Sequence, residues 1–328
     1  MSIRESIEQR ERETLSDFAT LSSRSKGRTN PEKKQDEIRT CFQVDRDRII
    51  YSKAFKRLKG KTQVFIMPQN DHFENRLSHT LKASQIARTI ATALNLNEAL
   101  AEAIMLAHDT GHSPFGHAGE EALNKLFHRG FDHQNCVIRR LEHLEKKGTR
   151  RGLNLSYEVL DGILHHSGFN NYPKAITKEG TIAPFADKIA YLTSDVQNAV
   201  KAGIVKDIPD KFKNCLGENE SQMIDKMVLN IIRNSKTTTK IRMSDEMFEI
   251  VSSFREFMYQ EVYFSKPLRK KANKVFKIIE DLYFHLKKYP ENIPDDYDDS
   301  YLEQNIVDYI SSMTDRYCLD LYQQFFFV

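Results

Sequence analysis

One stretch of the chain, residues 75–124, constrains the fold more than any other. It reads NRLSHTLKASQIARTIATALNLNEALAEAIMLAHDTGHSPFGHAGEEALN and holds four of the eleven histidines, including the adjacent pair His108-Asp109. Apolar residues recur at helical spacing through most of it, until Gly111, Pro114 and Gly116 interrupt the pattern. Histidines beside carboxylates are costly to bury unless a metal ion or a charged ligand gives them partners. The stretch therefore predicts a polar site carried by helices.

The rest of the chain is also dominated by helical periodicity. Helices are predicted at 74–94, 97–108, 118–128, 133–147, 156–166, 184–202, 221–234, 243–261, 267–288 and 301–325. The best strand candidate is TTTKIRM at 237–243, so at most one short β-hairpin is expected. The predicted fold is all-α, a helical bundle with additional C-terminal helices.

Three regions are predicted within one continuous domain. Residues 1–40 form a polar N-terminal arm, 41–210 form the core that contains the histidine stretch, and 211–328 form a C-terminal helical region packed on that core. The arm starts with a polar helix pattern and continues as a loop. It is either a solvated, partly disordered terminus, or a segment that docks on a neighbouring subunit or folds over the site.

Composition excludes several classes of protein. The 328 residues carry a formal charge of only +3, which suits a protein that handles phosphates but also suits many other enzymes. The four cysteines lie far apart without a CxxC pair, which argues against a disulfide framework or a zinc finger. The N-terminus is charged, and no run of about 18 apolar residues occurs. We therefore expect a cytoplasmic protein that does not enter a membrane.

The HD pair is the first element of a predicted metal centre. His108 and Asp109 lie at a helix end, and two further ligands would come from other helices, with His79 and Asp195 as candidates. Two histidines and two carboxylates suit one divalent ion, for which Mn, Mg, Fe, Co, Ni and Zn are candidates. Such an ion activates water or polarises a phosphoryl oxygen. Taken singly, His79 is more often a core residue and Asp195 an ion-pair partner, but their combination with HD favours ligands.

The loop GHSPFGHAGE carries a second set of polar side chains. His112 and His117 lie on a glycine-bounded loop, where a purely structural role is hard to assign. Glu120 follows His117 by three residues, so its carboxylate can lie beside the imidazole if a helix has resumed. A carboxylate that holds an imidazole in one tautomer raises its basicity for proton transfer. The spacing thus predicts a catalytic His–Glu pair.

Some polar residues stay ambiguous at this point. Asp187 precedes Asp195 by eight residues, about 80° away around the same predicted helix. It could replace Asp195 as a ligand, but pairing with a buried donor is the favoured interpretation. Of His165 and His166, one is expected to line the site and the other to be structural, without an indication of which.

The chain resembles the HD-domain phosphohydrolase superfamily, and within it the deoxyguanosine triphosphate triphosphohydrolase-like branch. The resemblance covers most of residues 22–325. The stretches that carry it are SRSKGR (23–28), RTCFQVDRDRIIYSKAFKRLKGKTQVF (39–65), NRLSH (75–79), AHDTGHSPFGHAGEEAL (107–123), FDHQN (131–135), ILHHSG (163–168), ADKIAYLTSDVQNAVKAG (186–203) and VDYISSMTDRYCLDLY (307–322).

The resemblance implies a role for each candidate residue. The metal ligands would be His79, His108, Asp109 and Asp195. The catalytic set would be His117, Glu120 and His112, the last in contact with the phosphates. The substrate-binding set would be Arg76 near the α-phosphate, His133 at the phosphates, Gln63 at the nucleoside end, and Tyr191.

The function hypothesis is metal-dependent hydrolysis of dGTP or other deoxynucleoside triphosphates to deoxynucleoside and triphosphate, by attack at the α-phosphorus. The resemblance also implies a homo-oligomer, and a nucleotide or single-stranded DNA effector is a further hypothesis. One rival is an HD-domain nucleotidase or phosphodiesterase acting on another nucleotide. The other is a nucleic-acid-binding regulator, suggested by the basic runs SSRSKGR (22–28) and KPLRKKANKVFK (266–277).

Overall fold

The computed structural model describes residues 1–67, 72–147, 150–168, 174–297 and 300–327. In these ranges the chain folds almost entirely into helices, so the all-α prediction is confirmed. The described residues contain one two-stranded antiparallel sheet, in which β1 (Lys146–Lys147) pairs with β2 (Arg150–Arg151). This agrees with the expectation of at most one short hairpin.

The described ranges contain fifteen α-helices. They are α1 Ile3–Thr14, α2 Cys41–Tyr51, α3 Lys53–Arg57, α4 Arg76–Ala93, α5 Glu98–Ala107, α6 His117–Leu126, α7 His133–Arg139, α8 Tyr157–Leu164, α9 Ala183–Lys201, α10 Asp210–Leu216, α11 Glu220–Ser235, α12 Asp245–Phe257, α13 Lys266–Lys288, α14 Leu302–Ser312 and α15 Asp315–Phe326. Two π-helical segments, Arg140–Leu144 and Met258–Tyr263, extend α7 and α12.

The helices belong to two compact units. Unit 1 comprises Met1–Tyr51, His79–His108 and Asn154–Tyr263. Unit 2 comprises Ser52–Ser78, Asp109–Leu153 and Phe264–Val328. The chain thus enters each unit three times, whereas the sequence predicted regions that are contiguous in the chain. The region boundaries predicted near residues 40 and 210 stay predictions.

The core of unit 1 is organised around α5. Asn97 caps this helix by accepting a hydrogen bond from Leu100 N, and nearly every side chain of α5 is buried. The helix packs against α2, α8 and α9. A Cβ added at Gly162 of α8 would lie 2.4 Å from a methyl carbon of Ile104, so glycine permits the close approach of α8 to α5. This packing fixes the C-terminal end of α5, where His108 lies.

The N-terminal arm is folded into unit 1. Ser22 hydrogen-bonds through both its backbone and its side chain to Glu11, and Thr20 does the same to Glu179. Further on, the Arg28 guanidinium pairs with the buried carboxylate of Asp45. Buried hydrogen bonds to charged groups stabilise such contacts strongly. These contacts hold the arm against its own chain.

Unit 2 has its apolar core between α6 and the C-terminal helices. Leu123 of α6, Ile279 of α13 and Ile310 of α14 are fully buried in one cluster, to which Leu321 of α15 also belongs. The predicted packing of the whole region 211–328 on the core stays a prediction. The packing within this cluster fixes α6, whose first turn carries His117 and Glu120.

The structure corrects two local predictions. Residues 301–325 form two helices rather than one, because Thr314 stops the first and caps the second by accepting a hydrogen bond from Tyr317 N. The strand predicted at 237–243 is wrong, since this segment is a turn and loop after α11. Its backbone is held by a side chain instead of a strand, as Arg242 N donates to Ser235 Oγ.

Candidate active site

Three side chains of unit 1 converge on one point. His79 comes from the first turns of α4, His108 follows the last residue of α5, and Asp187 comes from α9. The Asp187 Oδ1 atom lies 3.1 Å from His79 Nε2 and 3.7 Å from His108 Nε2. Both imidazoles are fully buried, while the Asp187 side chain is 20% exposed. The group is thus reachable from solvent on its carboxylate side.

The electrostatics of this group favour a cation. Burial would raise the pKa of Asp187, but its hydrogen bonds with His108 and His79 outweigh that effect and hold the pKa well below the usual value. His108 Nδ1 lies 2.6 Å from the Met105 carbonyl oxygen, to which it donates, so the ring is held with Nε2 on the Asp187 side. One carboxylate and two imidazoles are a fitting donor set for a divalent ion.

Asp195 does not belong to this group of three. Its Oδ2 atom accepts a hydrogen bond of 2.9 Å from the Tyr263 hydroxyl, at the end of the π-helical segment. Asp187, for which the sequence favoured pairing with a buried donor, pairs with the buried His79 and also completes the donor group. The sequence placed both carboxylates on one helix and chose Asp195 as the ligand, and that choice stays a prediction.

Two neighbours of the group also have defined positions. His166 is buried and its ring meets the His108 ring edge-on at 5.2 Å, whereas His165 bonds to the Asp161 carbonyl. His166 is therefore the member of the pair that lies at the histidine group. Burial raises the pKa of Tyr191, one turn beyond Asp187 on α9, so its hydroxyl stays protonated.

A second polar group forms within unit 2. Arg76 Nη1 donates to Asp109 Oδ2 at 2.8 Å, and His112 Nε2 lies 3.2 Å from the other Asp109 oxygen. Arg76 is 2% exposed, and its Nε and Nη2 atoms are buried without a hydrogen-bond partner among the described residues. A buried guanidinium with unused donors is costly in a protein interior, and its planar set of N–H groups suits the oxygens of an anion such as phosphate.

Glu120 connects three histidines of unit 2. Its Oε2 atom lies 3.1 Å from His117 Nδ1, and its Oε1 atom lies 2.8 Å from His133 Nδ1. His112 Nδ1 lies 3.6 Å from Oε2, and the His112 ring stacks on His133 at 3.9 Å. The side chain of His117 is 74% exposed, whereas His112 is buried. The His117 imidazole is therefore oriented by a carboxylate and still accessible to a ligand.

The protonation states in this group differ from those in water. Burial would raise the pKa of Glu120, but hydrogen bonds from His117 and His133 hold it well below the usual value. Burial lowers the pKa of His112 well below the usual value, and the nearby Arg76 charge adds to the effect. Glu120 is thus an anion and His112 a neutral hydrogen-bonding group near neutral pH.

The loop that carries the histidines has a strained backbone. Phe115 has φ +63°, a conformation that non-glycine residues rarely adopt, and Gly116 has φ +62°. A Cβ at Gly116 would lie 2.9 Å from the Gln63 carbonyl oxygen and 3.2 Å from Arg76 Nη2, so glycine is needed for this close approach. The Gln63 Oε1 atom is buried without a hydrogen-bond partner among the described residues. The segment of Gln63 and the histidine loop are in direct contact.

Donor groups that could hold a metal occur three times in the described residues. One is His79, His108 and Asp187; the others are Asp109 with His112 and His133, and His112 with His117 and Glu120. In the second group, Arg76 already compensates Asp109. The sequence offered Asp187 only as an alternative to Asp195, and it did not single out Tyr263. Position on α9 was the signal for Asp187, and Tyr263 had none.

Comparisons with known proteins agree with this chemistry. The HD domain family matches residues 76–192, and the phosphohydrolase-associated domain family matches residues 241–324. The first match contains His79, His108 and Asp187, so the fold and the donor groups define an HD-domain phosphohydrolase. No helix in the described part of the chain is long and apolar enough to cross a membrane.

Relatives that align over nearly their full length identify the family. A deoxyguanosinetriphosphate triphosphohydrolase-like protein of Caldanaerobacter subterraneus subsp. tengcongensis is 44% identical, over 99% of this chain and 96% of the relative. A protein of the same description from Clostridium perfringens strain 13 is 44% identical over 99% and 98%, and one from Desulfatibacillum aliphaticivorans is 42% identical over 100% and 99%. The chain belongs to the deoxyguanosinetriphosphate triphosphohydrolase-like family.

Proposed function

We propose that the protein hydrolyses deoxynucleoside triphosphates, dGTP or others, to deoxynucleoside and inorganic triphosphate by attack of water at the α-phosphorus. The relatives' description supports the substrate class. The observation that carries the proposal is the buried Arg76, with two unused guanidinium donors, in one network with His112, His133 and the His117–Glu120 pair. A phosphate group would satisfy those donors.

One divalent ion would be held by His79, His108 and Asp187, whose donor atoms fit a cation. Asp109, the neighbour of His108 in the chain, and Asp195 are the carboxylate ligands proposed from the sequence. When bound, such an ion lowers the pKa of a water molecule and polarises a phosphoryl oxygen. Mn, Mg, Fe, Co, Ni and Zn are all compatible with nitrogen and oxygen donors.

Arg76 and the two stacked imidazoles would bind the phosphates. The Nη1 contact of Arg76 with Asp109 fixes the guanidinium plane and leaves Nε and Nη2 for phosphoryl oxygens. Glu120 accepts from His133 Nδ1, so His133 can donate through Nε2 to developing negative charge without reorganising. His112, neutral and held beside Asp109, would contact the phosphates as the stacking partner of His133. These side chains would stabilise the transition state more than the ground state.

His117 would transfer the proton that the reaction requires. The departing 5′-oxygen is a poor leaving group as an alkoxide, so protonation by a general acid lowers the barrier. Glu120 accepts from Nδ1 of His117 and leaves Nε2 for the proton transfer. The exposure of His117 supports this role, because the imidazole must meet the substrate.

Gln63 would bind the nucleoside end. Its buried Oε1 atom is an unsatisfied acceptor, and it would gain a partner from a donor on the substrate. Tyr191 is a further proposed substrate-binding residue, which keeps its hydroxyl proton and can donate it. The homo-oligomer, implied by the family resemblance, and the nucleotide or single-stranded DNA effector are also proposals.

The test is incubation of the purified protein with each of the four dNTPs and Mn²⁺ or Mg²⁺, with products resolved by ion-exchange chromatography. Deoxynucleoside plus intact triphosphate, absent with His117→Ala, is the expected result and ranks the bases. Stepwise release of phosphate or pyrophosphate would overturn attack at the α-phosphorus and favour a nucleotidase. Binding of single-stranded DNA without turnover, weakening steeply with salt, would favour a nucleic-acid-binding regulator.

A further inference from the structure

The segment Ser311–Asp315, which spans the end of α14 and the start of α15, has no part in the proposed chemistry but contacts the segments that do. It lies in unit 2 and belongs to a stretch whose role the sequence did not explain. Its contacts are made by a carboxylate and a backbone carbonyl rather than by apolar packing alone. The question is what these polar contacts hold in place.

Asp315 binds two separate segments with its two carboxylate oxygens. Oδ2 accepts hydrogen bonds from the backbone N–H of Thr62, at 3.0 Å, and from the Thr62 hydroxyl. Oδ1 accepts a hydrogen bond of 2.7 Å from the backbone N–H of Phe115. Thr62 precedes Gln63, and Phe115 lies between His112 and His117 on the histidine loop. One side chain thus joins the nucleoside-recognition segment to the catalytic loop.

The loop needs such a partner because its backbone is unfavourable at this point. Phe115 has a positive φ, which a bulky L-residue adopts only when its surroundings enforce it. The charge-assisted bond from Phe115 N–H to Asp315 is a local interaction that favours the conformation. Gly116 follows directly and brings the loop against the Gln63 backbone.

Lys61 makes a second connection of the same kind. Its ammonium group is buried and donates to the backbone carbonyl of His112 and, at 2.8 Å, to that of Ser311. Lys61 and Thr62 are neighbours in the chain, and their partners His112 and Phe115 both lie on the histidine loop. The C-terminal segment therefore holds the loop at His112 through Lys61 and at Phe115 through Asp315.

We propose that Asp315 is a positioning residue, which sets the position of the histidine loop relative to the Thr62–Gln63 segment. The inference rests on the proposed function, since it assigns Asp315 to the same reaction without a contact to substrate. Displacement of a catalytic group by about 1 Å can cost about 10²-fold in rate. We therefore expect Asp315→Ala to lower kcat by about that factor, with a smaller loss for Asp315→Asn, which keeps one acceptor.

Thr314→Ala is the matched control. Thr314 caps α15 and adjoins Asp315, but its side chain accepts from Tyr317 N and takes no part in the contacts to Thr62 or Phe115. Loss of the cap should lower the melting temperature, as loss of Asp315 should, while kcat stays near the wild-type value. The comparison thereby distinguishes a rate loss caused by lower stability of α15 from one caused by displacement of the histidine loop.

The first readout does not depend on turnover. Hydrogen exchange of peptides spanning 61–67 and 110–118 should accelerate together in Asp315→Ala and stay at the wild-type rate in Thr314→Ala. The second readout places Asp315→Ala in a His117→Ala background. If Asp315 acts through the histidine loop, the double variant should be scarcely slower than His117→Ala.

Each outcome decides the proposal. Coupled acceleration of the two peptides with a non-additive double variant supports it. Exchange unchanged at either peptide overturns it, and so does a full additional rate loss in the His117→Ala background. If the wild-type protein hydrolyses no dNTP, the proposed function fails, while hydrogen exchange still decides whether Asp315 holds the two segments.

Discussion

The two polar groups of this protein use the same residue types for opposite purposes. In unit 1, His79 and His108 lie beside the carboxylate of Asp187, and the three side chains offer their donor atoms to one point. In unit 2, the carboxylates of Asp109 and Glu120 are already engaged, the first by Arg76 and the second by imidazoles. The first group is therefore arranged to hold a cation, and the second offers unused donors to an anion.

The difference teaches that histidine density alone does not identify a metal site. The residues around the imidazoles decide whether they act as lone-pair donors to a cation or as hydrogen-bond donors to a phosphate. His108 donates through Nδ1 to a backbone carbonyl, whereas His117 directs Nδ1 to Glu120. Both contacts orient the imidazole, but only the second places a carboxylate beside it.

The largest effect is expected at Asp187. Asp187→Asn removes the anion that compensates a bound cation, so we expect loss of the metal and of hydrolysis. Metal content after dialysis, measured by mass spectrometry, and the dNTP assay check this. Asp195→Asn, on the same helix, is the comparison. Retained metal in Asp187→Asn with loss in Asp195→Asn would restore Asp195 as the ligand and reverse our assignment.

The next largest loss of activity is expected when His117 is substituted. His117→Ala should lower kcat by about 10²–10⁴-fold, because the leaving oxygen loses its proton donor. His128→Ala is a matched control, since His128 Nδ1 lies 3.1 Å from Glu303 Oε2, the same separation as in the His117–Glu120 pair, but His128 belongs to neither polar group. Equal rates for the two variants would show that the pair has no special role.

A substitution of Arg76 distinguishes the polar group of unit 2, which would bind phosphate, from the donor group of unit 1, which would bind the metal. Arg76→Lys keeps the charge but loses the planar donors, so we expect kcat/KM to fall by about 10²-fold while metal content is unchanged. Arg139→Lys, which alters the Arg139–Asp308 ion pair in the same unit, should leave kinetics near the wild-type values. Metal loss in Arg76→Lys would mean that the two groups do not differ as we describe.

The smallest expected effect is on stability. The pKa of Glu120 is lower in the folded state than in the unfolded state, so its ionised form stabilises the fold at pH values above about 4.5. That contribution is lost as the pH falls toward the folded-state pKa. Glu120→Gln should therefore cost about 2 kcal/mol at pH 7 and progressively less in acid, as followed by urea unfolding. A difference that grows in acid would contradict the charge assigned to Glu120.

Much of the secondary structure followed from local pattern. The helices that became α4, α5, α9 and α13 were predicted to within a few residues, because their apolar spacing and caps are local properties of the chain. The apolar spacing did not predict the break between α14 and α15, where the Thr314 side chain caps the start of α15. The segment 237–243 was read as a strand from its β-branched residues, but no neighbouring strand pairs with it among the described residues.

The sequence by itself predicted where the polar groups lie, because HD and GHSPFGHAGE place histidines and carboxylates where helices end or begin. The tertiary structure alone decided which carboxylate of α9 faces His79 and His108, since residues 187 and 195 differ by about 80° around the helix axis. It also decided that Asp315, some 200 residues from Phe115, holds the histidine loop. Local spacing determines the direction in which a side chain leaves its own helix. The residue that this side chain contacts depends on how helices distant in the chain pack.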